Sequence, residues 1–393
     1  MKHAQAPAQD ELVHRAAALV PLLQANAIGT EESRALTEES LDALRDAGIF
    51  RMRVPARYGG FESDARTMVK VAGELGRGDG STAWTAGVWW ITSWMAAMFP
   101  DEVQDEVFES PDTRLCGTLS PTGMAIRQPG GAVLNGKWGF MSGARHSQWQ
   151  VVVAVTPTEE GGHEPIMALV PLSDMQVVDD WYTSGLRGTG SITTIAQNVF
   201  IPEQRILSMG AVLHEQYGSK LNADSAIYRN PLLPVASASS IGAVLGMAKG
   251  ALDAFLTRLP DRHITYTGYT SQREAPLTHF QVAEASLLID EAEFHALRLA
   301  GQVDEKGATG AQWTVEERAR ARADMGAVCE LAKKAVDLLT TASGGSSIYS
   351  EVPMQRVQRD MQAVNLHALM HPDTNRELYG RVLCGMPPNT FYI

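Results

Sequence analysis

The sequence predicts an α+β fold in three successive parts. These are a helical N-terminal domain (residues 1–112), a central antiparallel β barrel or sandwich (113–212) and a C-terminal four-helix bundle (213–393). Three observations predict it. Residues 10–110 carry helix starts and stops around a long apolar run. From about 113 to 210 the pattern shortens to strand-length segments separated by Gly and Pro. Beyond 230, apolar residues return to helical spacing among many Gly, Ala and Ser. A chain of 393 residues suits two or three packed units better than one small core.

In the first part, Thr37 precedes EESLDALRDAGIF, an N-cap start with a stop at Gly48. The loop RMRVPARYGGFESD follows, then a helix over Ala65 to Leu75 and the buried-helix pattern GSTAWTAGVWWITSWMAAMF. In the central part, RLCGTLSP, GAVLNGKWGFMSG, WQVVVAVT, IMALVPL and SITTIAQNVFIP read as strands. Asn135-Gly136 predicts a tight hairpin turn. After it Trp138, Phe140 and Ser142 alternate, which places all three on one face of a strand. Two aromatics and a hydroxyl there would suit a planar, hydrogen-bonding ligand. A core strand with a backbone-bonded Ser is the plainer reading.

In the last part, Ile241, Val244, Ala248, Ala251 and Phe255 share one helix face. Phe280, Ala283, Leu287, Phe294 and Leu297 predict the core stripe of a second helix. Asp290 falls on that same face, at a bundle interface or in a substrate pocket. Thr314 with Glu317 forms a capping box for a third helix to about 341. The turn ASGGSSIYS leads to a helix from Val352 toward His371. Thr374 with Glu377 predicts another capping box, for a last helix ending near Gly385.

Composition excludes several classes. A formal charge of −12 argues against nucleic acid or an anionic membrane as the main partner. Cys116, Cys329 and Cys384 are far apart, so neither a disulfide framework nor a zinc ribbon is expected. The N-terminus lacks a signal-peptide core, and no stretch of about 18 apolar residues occurs, so the protein is read as soluble and cytoplasmic. Gly185, Gly188 and Gly190 have the wrong order for a dinucleotide loop and lead into a strand. Without a nicotinamide site, a redox enzyme here takes its electrons from a separate reductase or from its substrate.

The run from Gly136 to Trp149 has the form GxWxFxSGxxHxxW, and upstream lie Gly48-Ile49-Phe50 and Pro55-x-x-Tyr58-Gly59-Gly60. Together these resemble the acyl-CoA dehydrogenase superfamily over nearly the whole chain. They are closer still to its oxygen-using branch, the flavin-dependent two-component monooxygenases. The resemblance implies reduced FMN or reduced FAD as cofactor and O2 as cosubstrate. A separate NAD(P)H flavin reductase would supply the flavin by diffusion, and the enzyme would be a homotetramer. A flavin C4a-hydroperoxide would oxygenate a small organic substrate, by aromatic ring hydroxylation or N-oxidation of an amine or amino sugar.

It also implies site residues. Trp84 would lie near the isoalloxazine ring, with Thr118, Leu119 and Ser120 against its pyrimidine edge. Trp138 and Phe140 would keep the pocket dry, and Ser142 would donate a hydrogen bond at the reacting end. Arg273 and the turn Ser343, Gly344 and Gly345 would approach a neighbouring subunit's cofactor phosphate. The turn reads Gly-Gly-Ser-Ser where the dehydrogenases have Gly-Gly-Tyr-Gly, which makes FMN at least as fitting as FAD.

The segment QRDMQAVNLHALMHPDTN aligns with the stretch where many superfamily dehydrogenases keep a Glu base. No Glu lies between Asp360 and Asp373; the positions hold His367 and His371 instead. In the monooxygenase branch a His of this segment faces flavin and substrate, and His367 matches it better than His371. An imidazole can act as base toward a phenol, an indole or an ammonium group. The two histidines also have helical metal-ligand spacing, but Pro372 follows at once and no third ligand is apparent, so no metal is expected. The alternative activity is acyl-CoA dehydrogenation with bound FAD.

Overall fold

The structure, a computed structural model, describes residues 7–158 and 160–393, so the first six residues of the N-terminus read above for a leader lie outside it. Helices α1 (Gln9–Ser33), α2 (Glu38–Asp46), α3 (Ala65–Gly78), α4 (Gly80–Ala96) and α5 (Asp101–Val107) come first. Thr37 caps α2 by accepting the Ser40 N–H, and Gly48 follows at φ 79°. Asp79 ends α3 and starts α4, its carboxylate accepting both the N–H and the hydroxyl of Thr82.

Seven strands follow: β1 (Leu115–Gln128), β2 (Gly131–Met141), β3 (Trp149–Pro157), β4 (His163–Pro171), β5 (Gln176–Val178), β6 (Ile192–Pro202) and β7 (Ile206–Ser208). They form one sheet in the order β5-β6-β2-β1-β3-β4-β7. All neighbours pair antiparallel except β1 and β3, which run parallel, so the sheet is mixed rather than wholly antiparallel.

The expected turn at Asn135-Gly136 does not form. β2 runs straight through it, with Asn135 opposite Met124, and the chain reverses at Pro129-Gly130, where Gly130 has φ 84°. Asn135 instead marks an irregularity against β6: its amide donates to the Asn198 side chain, and its Oδ1 accepts the Asn198 N–H. The alternation beyond it breaks as well. Register with β6 slips between Trp138 and Met141, and Phe140 takes φ 61°. Phe140 is thereby turned outward, 74% exposed, against the edge of Trp181.

The remaining helices are α6 (Met209–Leu213), α7 (Leu232–Arg258), α8 (Pro276–Thr309), α9 (Val315–Ser343), α10 (Pro353–Asn365) and α11 (Pro372–Leu383). α7 is long and apolar enough to span a bilayer, but 89% of its apolar window is buried inside the fold. Glycines let it press close on α3 and α4: a Cβ on Gly246 of α7 would stand 2.3 Å from Gly73 O, and one on Gly87 of α4 would stand 2.9 Å from Ser239 O. The Thr314–Glu317 capping box is formed.

Two C-terminal expectations are corrected. Most of the stripe of α8 expected in the core faces outward: Phe280, Ala283, Leu287 and Phe294 are exposed, as is Asp290, while Leu297 packs on the core and Ala285, Ile289, Ala292 and Ala296 point inward. α10 stops at Asn365, so residues 366–371 form a turn, and α11 starts at Pro372 without a side-chain cap. Thr374 bonds to His371 O instead.

Candidate active site

α4 is buried along almost its whole circumference. Its least covered positions inside the fold, Val88 and Ile91, follow Trp84 at helical spacing and make one face with it. β1 leaves the β3 ladder between Gly117 and Pro121, so Thr118, Leu119 and Ser120 lie outside regular pairing, and Leu119 packs on the same core cluster as Val88 and Ile91. Thr118 Oγ1 accepts the Ser120 N–H at 3.3 Å.

Ser142 follows the end of β2 and is 5% exposed. Trp84 Nε1 donates to Ser142 Oγ at 3.2 Å. Ser142 Oγ lies 2.7 Å from Ser191 Oγ, which lies 2.6 Å from Thr189 Oγ1, and Thr189 donates to Leu186 O at 2.8 Å. Each hydroxyl has one hydrogen, so the two ends of this chain set every direction in it. Thr189 spends its hydrogen on Leu186 O, so Ser191 donates to Thr189 and Ser142 donates to Ser191. Ser191 and Thr189 were not singled out in the sequence; the run Gly188-Thr189-Gly190-Ser191 was their only signal.

His367 sits in the turn after α10, with its ring 5.3 Å from the Trp84 ring, centre to centre, at 62°. His367 is an exposed residue, and neither ring nitrogen has a partner among the described residues. The protein packed around it nevertheless strips enough water to push its pKa down to about 4. The ring is therefore neutral at pH 7 and able to accept a hydrogen bond. His371, half-buried at the N-terminus of α11, has a buried Nδ1 with no partner among the described residues. α10 has ended before both histidines, so they do not share a helix face.

Other expected site residues lie elsewhere. Trp138 is fully buried in the sheet's own core and donates to Val153 O at 2.9 Å. A Cβ on Gly123 would lie 2.2 Å from its ring, so the absence of a side chain there makes room for the indole. Phe140 is on the outer surface and Asp290 on the outer face of α8. Neither aromatic is placed to wall the space beside Trp84.

At the Gly turn, Ser343 is buried and its hydroxyl is spent on Leu339 O. Gly344 adopts φ 65°, and Gly345 opens a short 3-10 turn. Arg273 is exposed, without a carboxylate partner among the described residues. Two cations missed in the sequence stand at this turn. Arg262 Nη1 donates to Ser346 Oγ at 2.5 Å, and Arg258 Nη2 approaches the same oxygen at 3.5 Å. Neither has an acidic partner among the described residues, and Arg258 Nη1 is buried unpaired. Burial and then Arg258 lower the Arg262 pKa. Two like charges on one hydroxyl are a donor set for an anion.

Family models for the acyl-CoA dehydrogenase N-terminal and C-terminal domains match residues 9–108 and 238–372. The chain is 32% identical over its whole length to an FADH2-dependent resorcinol hydroxylase, oxygenase component, of a Rhizobium species, covering 99% of that protein. The crystal structure of the HsaA monooxygenase from Mycobacterium tuberculosis superposes with a TM-score of 0.92 at 28% identity, over 98% of this chain and all of that one. XiaF from a Streptomyces species, in complex with FADH2 and glycerol, gives 0.91 at 29%, over 97% of both chains. The chain belongs to the acyl-CoA dehydrogenase family, in its branch of flavin-dependent monooxygenase oxygenase components.

Proposed function

We propose that this oxygenase component hydroxylates a small phenolic or indolic ring, with Trp84, Ser142 and His367 as the core of its site. The observation that carries the reading is the position of Trp84. Its ring borders the neutral His367 imidazole, and its N–H holds the Ser142 hydroxyl. A base, an aromatic wall and a hydroxyl thus meet around one apolar helix face. The resorcinol hydroxylase among the relatives favours a phenolic substrate over an amino sugar.

The residues present fit a flavin. The half-open face of α4, the unpaired 118–120 edge and Ser142 would take the ring system. Arg258, Arg262 and Arg273 with the Gly344 turn would take phosphate, and the family's arrangement makes that phosphate a neighbouring subunit's. Reduced FMN or reduced FAD, when bound, supplies the electrons that divide O2 between product and water. This chain's own residues do the rest. Neutral His367 accepts a hydrogen bond from the phenol O–H or indole N–H, which orients the substrate and raises electron density on the ring to be attacked. Ser142, whose hydrogen is otherwise held by Ser191, would turn that hydrogen toward the place where negative charge develops. Trp84, Val88 and Ile91 keep water away.

The Glu base that many superfamily dehydrogenases keep in the His367 segment has no counterpart here, which weighs against acyl-CoA dehydrogenation. Residues 361–372 hold neither Asp nor Glu, and the Asp360 carboxylate is buried on Leu186 N. The exposed α8 face supports a homotetramer, and three free cysteines suit a reducing cytoplasm.

The test is 18O2 incorporation. The protein with a flavin reductase, NADH and FMN or FAD should label a phenol or indole, and the protein with NADH alone should consume nothing. NADH oxidation without the reductase, or reduction of a bound flavin by an acyl-CoA, would overturn the reading.

A further inference from the structure

Residues 387–393 have no part in the site described so far, yet they are fastened to it. Arg381 Nε donates to Pro387 O at 2.7 Å, and the Asn389 amide donates to the Glu377 carboxylate at 2.8 Å. Tyr392 then reaches out of the helix bundle, and its hydroxyl donates to Leu119 O at 2.6 Å. Leu119 lies on the stretch of β1 that has left the β3 ladder beside the site. Tyr392 is half-buried and packs on the same core cluster as Val88, Ile91, Leu119 and Leu369.

The other end of the link is Arg322 on α9, 7% exposed. Among the described residues it has no carboxylate, only three carbonyl oxygens. These are the Asn375 side chain at 2.8 Å, Tyr392 O at 2.7 Å and Leu369 O at 3.4 Å. Leu369 is two residues past His367 in the same turn, and the Asn375 amide donates to Leu369 O as well, at 2.9 Å. Burial lowers the Arg322 pKa to about 10, so it stays charged at neutral pH despite the desolvation cost. A guanidinium offers donors in fixed directions, and here they tie the His367 turn to the backbone of Tyr392. One continuous path of hydrogen bonds therefore runs from the His367 turn through Arg322 and Tyr392 to β1.

We propose that Tyr392 is a specificity-determining residue of the oxygenase site. Its ring walls the space between β1 and the His367 turn. Arg322 is the positioning residue that sets this wall and His367 at a fixed separation. The ligand class is a small planar phenol or indole, whose size the wall limits. The proposal rests on the oxygenase reading and on His367 as the residue that meets the substrate.

Three variants test it: Tyr392→Phe, which keeps the ring and deletes the bond to Leu119; Tyr392→Ala, which removes the wall; and Arg322→Lys, which keeps the charge and loses the fork. The first readout is hydrogen exchange on the protein without substrate. Tyr392→Phe and Arg322→Lys should speed amide exchange at residues 118–122 and 366–371 together, while exchange that rises only within 387–393 overturns the link. The second is binding and turnover of phenol, resorcinol, 4-tert-butylphenol and indole with reduced flavin. Tyr392→Ala should favour 4-tert-butylphenol over phenol by at least about fivefold relative to the parent, the effect of roughly one lost contact of 1 kcal/mol. Arg322→Lys should lower kcat with flavin affinity unchanged; a lower Tm with unaltered kcat and KM would reduce Arg322 to a structural role and overturn its part. An unaltered order of preference in folded Tyr392→Ala overturns the wall. Failure of the unsubstituted protein to bind reduced flavin would instead count against the oxygenase reading, and exchange would still decide the link.

Discussion

The Asp360 carboxylate accepts the Leu186 N–H at 2.6 Å, across 174 residues of chain. Leu186 has φ 50°, a left-handed conformation that costs a non-glycine residue about 1 kcal/mol or more. Leu186 O in turn ends the hydroxyl chain that starts at Ser142. α10 thus carries Asp360 at one point and His367 just past its end, and joins both halves of the candidate site.

Burial first, and then the nearby Asp79 carboxylate, push the Asp360 pKa up to about 7. A carboxyl group with a folded pKa above its unfolded value, near 3.9, contributes stability that is full below about pH 4 and lost as pH rises toward 7. Asp360→Asn keeps an oxygen for Leu186 N–H and cannot ionise. It should match the parent protein near pH 4.5 and exceed it by roughly 1–3 kcal/mol at pH 8. Denaturant titration at both pH values checks this, and parallel curves would refute it.

His367→Ala and His367→Asn should still consume reduced flavin but release peroxide, with product formation slowed by roughly 10²–10⁴-fold. The folded pKa near 4 keeps the ring neutral throughout the range from pH 6 to 8. Product formation should therefore show no His367-dependent step there and should fail only as pH drops toward 4. His371→Ala should stay close to the parent rate. If His371→Ala stops product while His367→Ala does not, the assignment is reversed.

Ser142 and Ser191 should behave as opposites. Ser142→Ala removes the donor and strands the buried Trp84 N–H, at a cost of roughly 1–3 kcal/mol, and should raise peroxide release by about ten- to a hundredfold. Ser191→Ala removes the acceptor that takes up the Ser142 hydrogen, leaving that hydrogen free for a ligand. It should release less peroxide per product than Ser142→Ala. The ratio of peroxide to product in the two variants is the measurement, and a higher ratio in Ser191→Ala would contradict the direction derived for the chain.

Phe280, Leu287 and Phe294 stand seven residues apart on the outer face of α8, with exposures of 77%, 66% and 65%. Leu287→Glu should leave the fold intact, since the side chain is already outside, and yield smaller species by sedimentation. If a neighbour's cofactor sits at the Gly344 turn, flavin affinity should fall in parallel. Unchanged mass and affinity would remove this face from the assembly.

The sequence alone determined the order helix, sheet, helix and the candidates Trp84, Ser142 and His367. Caps, strand-length apolar runs and short motifs are local, and local pattern suffices to recognise them. Only the tertiary structure decided which candidates meet. Trp84 and His367 are 283 positions apart and become neighbours because α4 and α10 both pack at the edge of one core. Period-two spacing put Trp138, Phe140 and Ser142 on one face, but a slip against β6 turned Phe140 outward, and a slip depends on the partner strand. Helical spacing grouped Phe280, Leu287 and Phe294 correctly, yet it shows only that residues share a face. What covers a face is settled by the neighbours, and α7 and α9 hold the opposite side of α8. The charges at the Gly turn were invisible for the same reason: whether Arg258 and Arg262 find a carboxylate depends on what folding brings beside them, and here it brings the hydroxyl of Ser346.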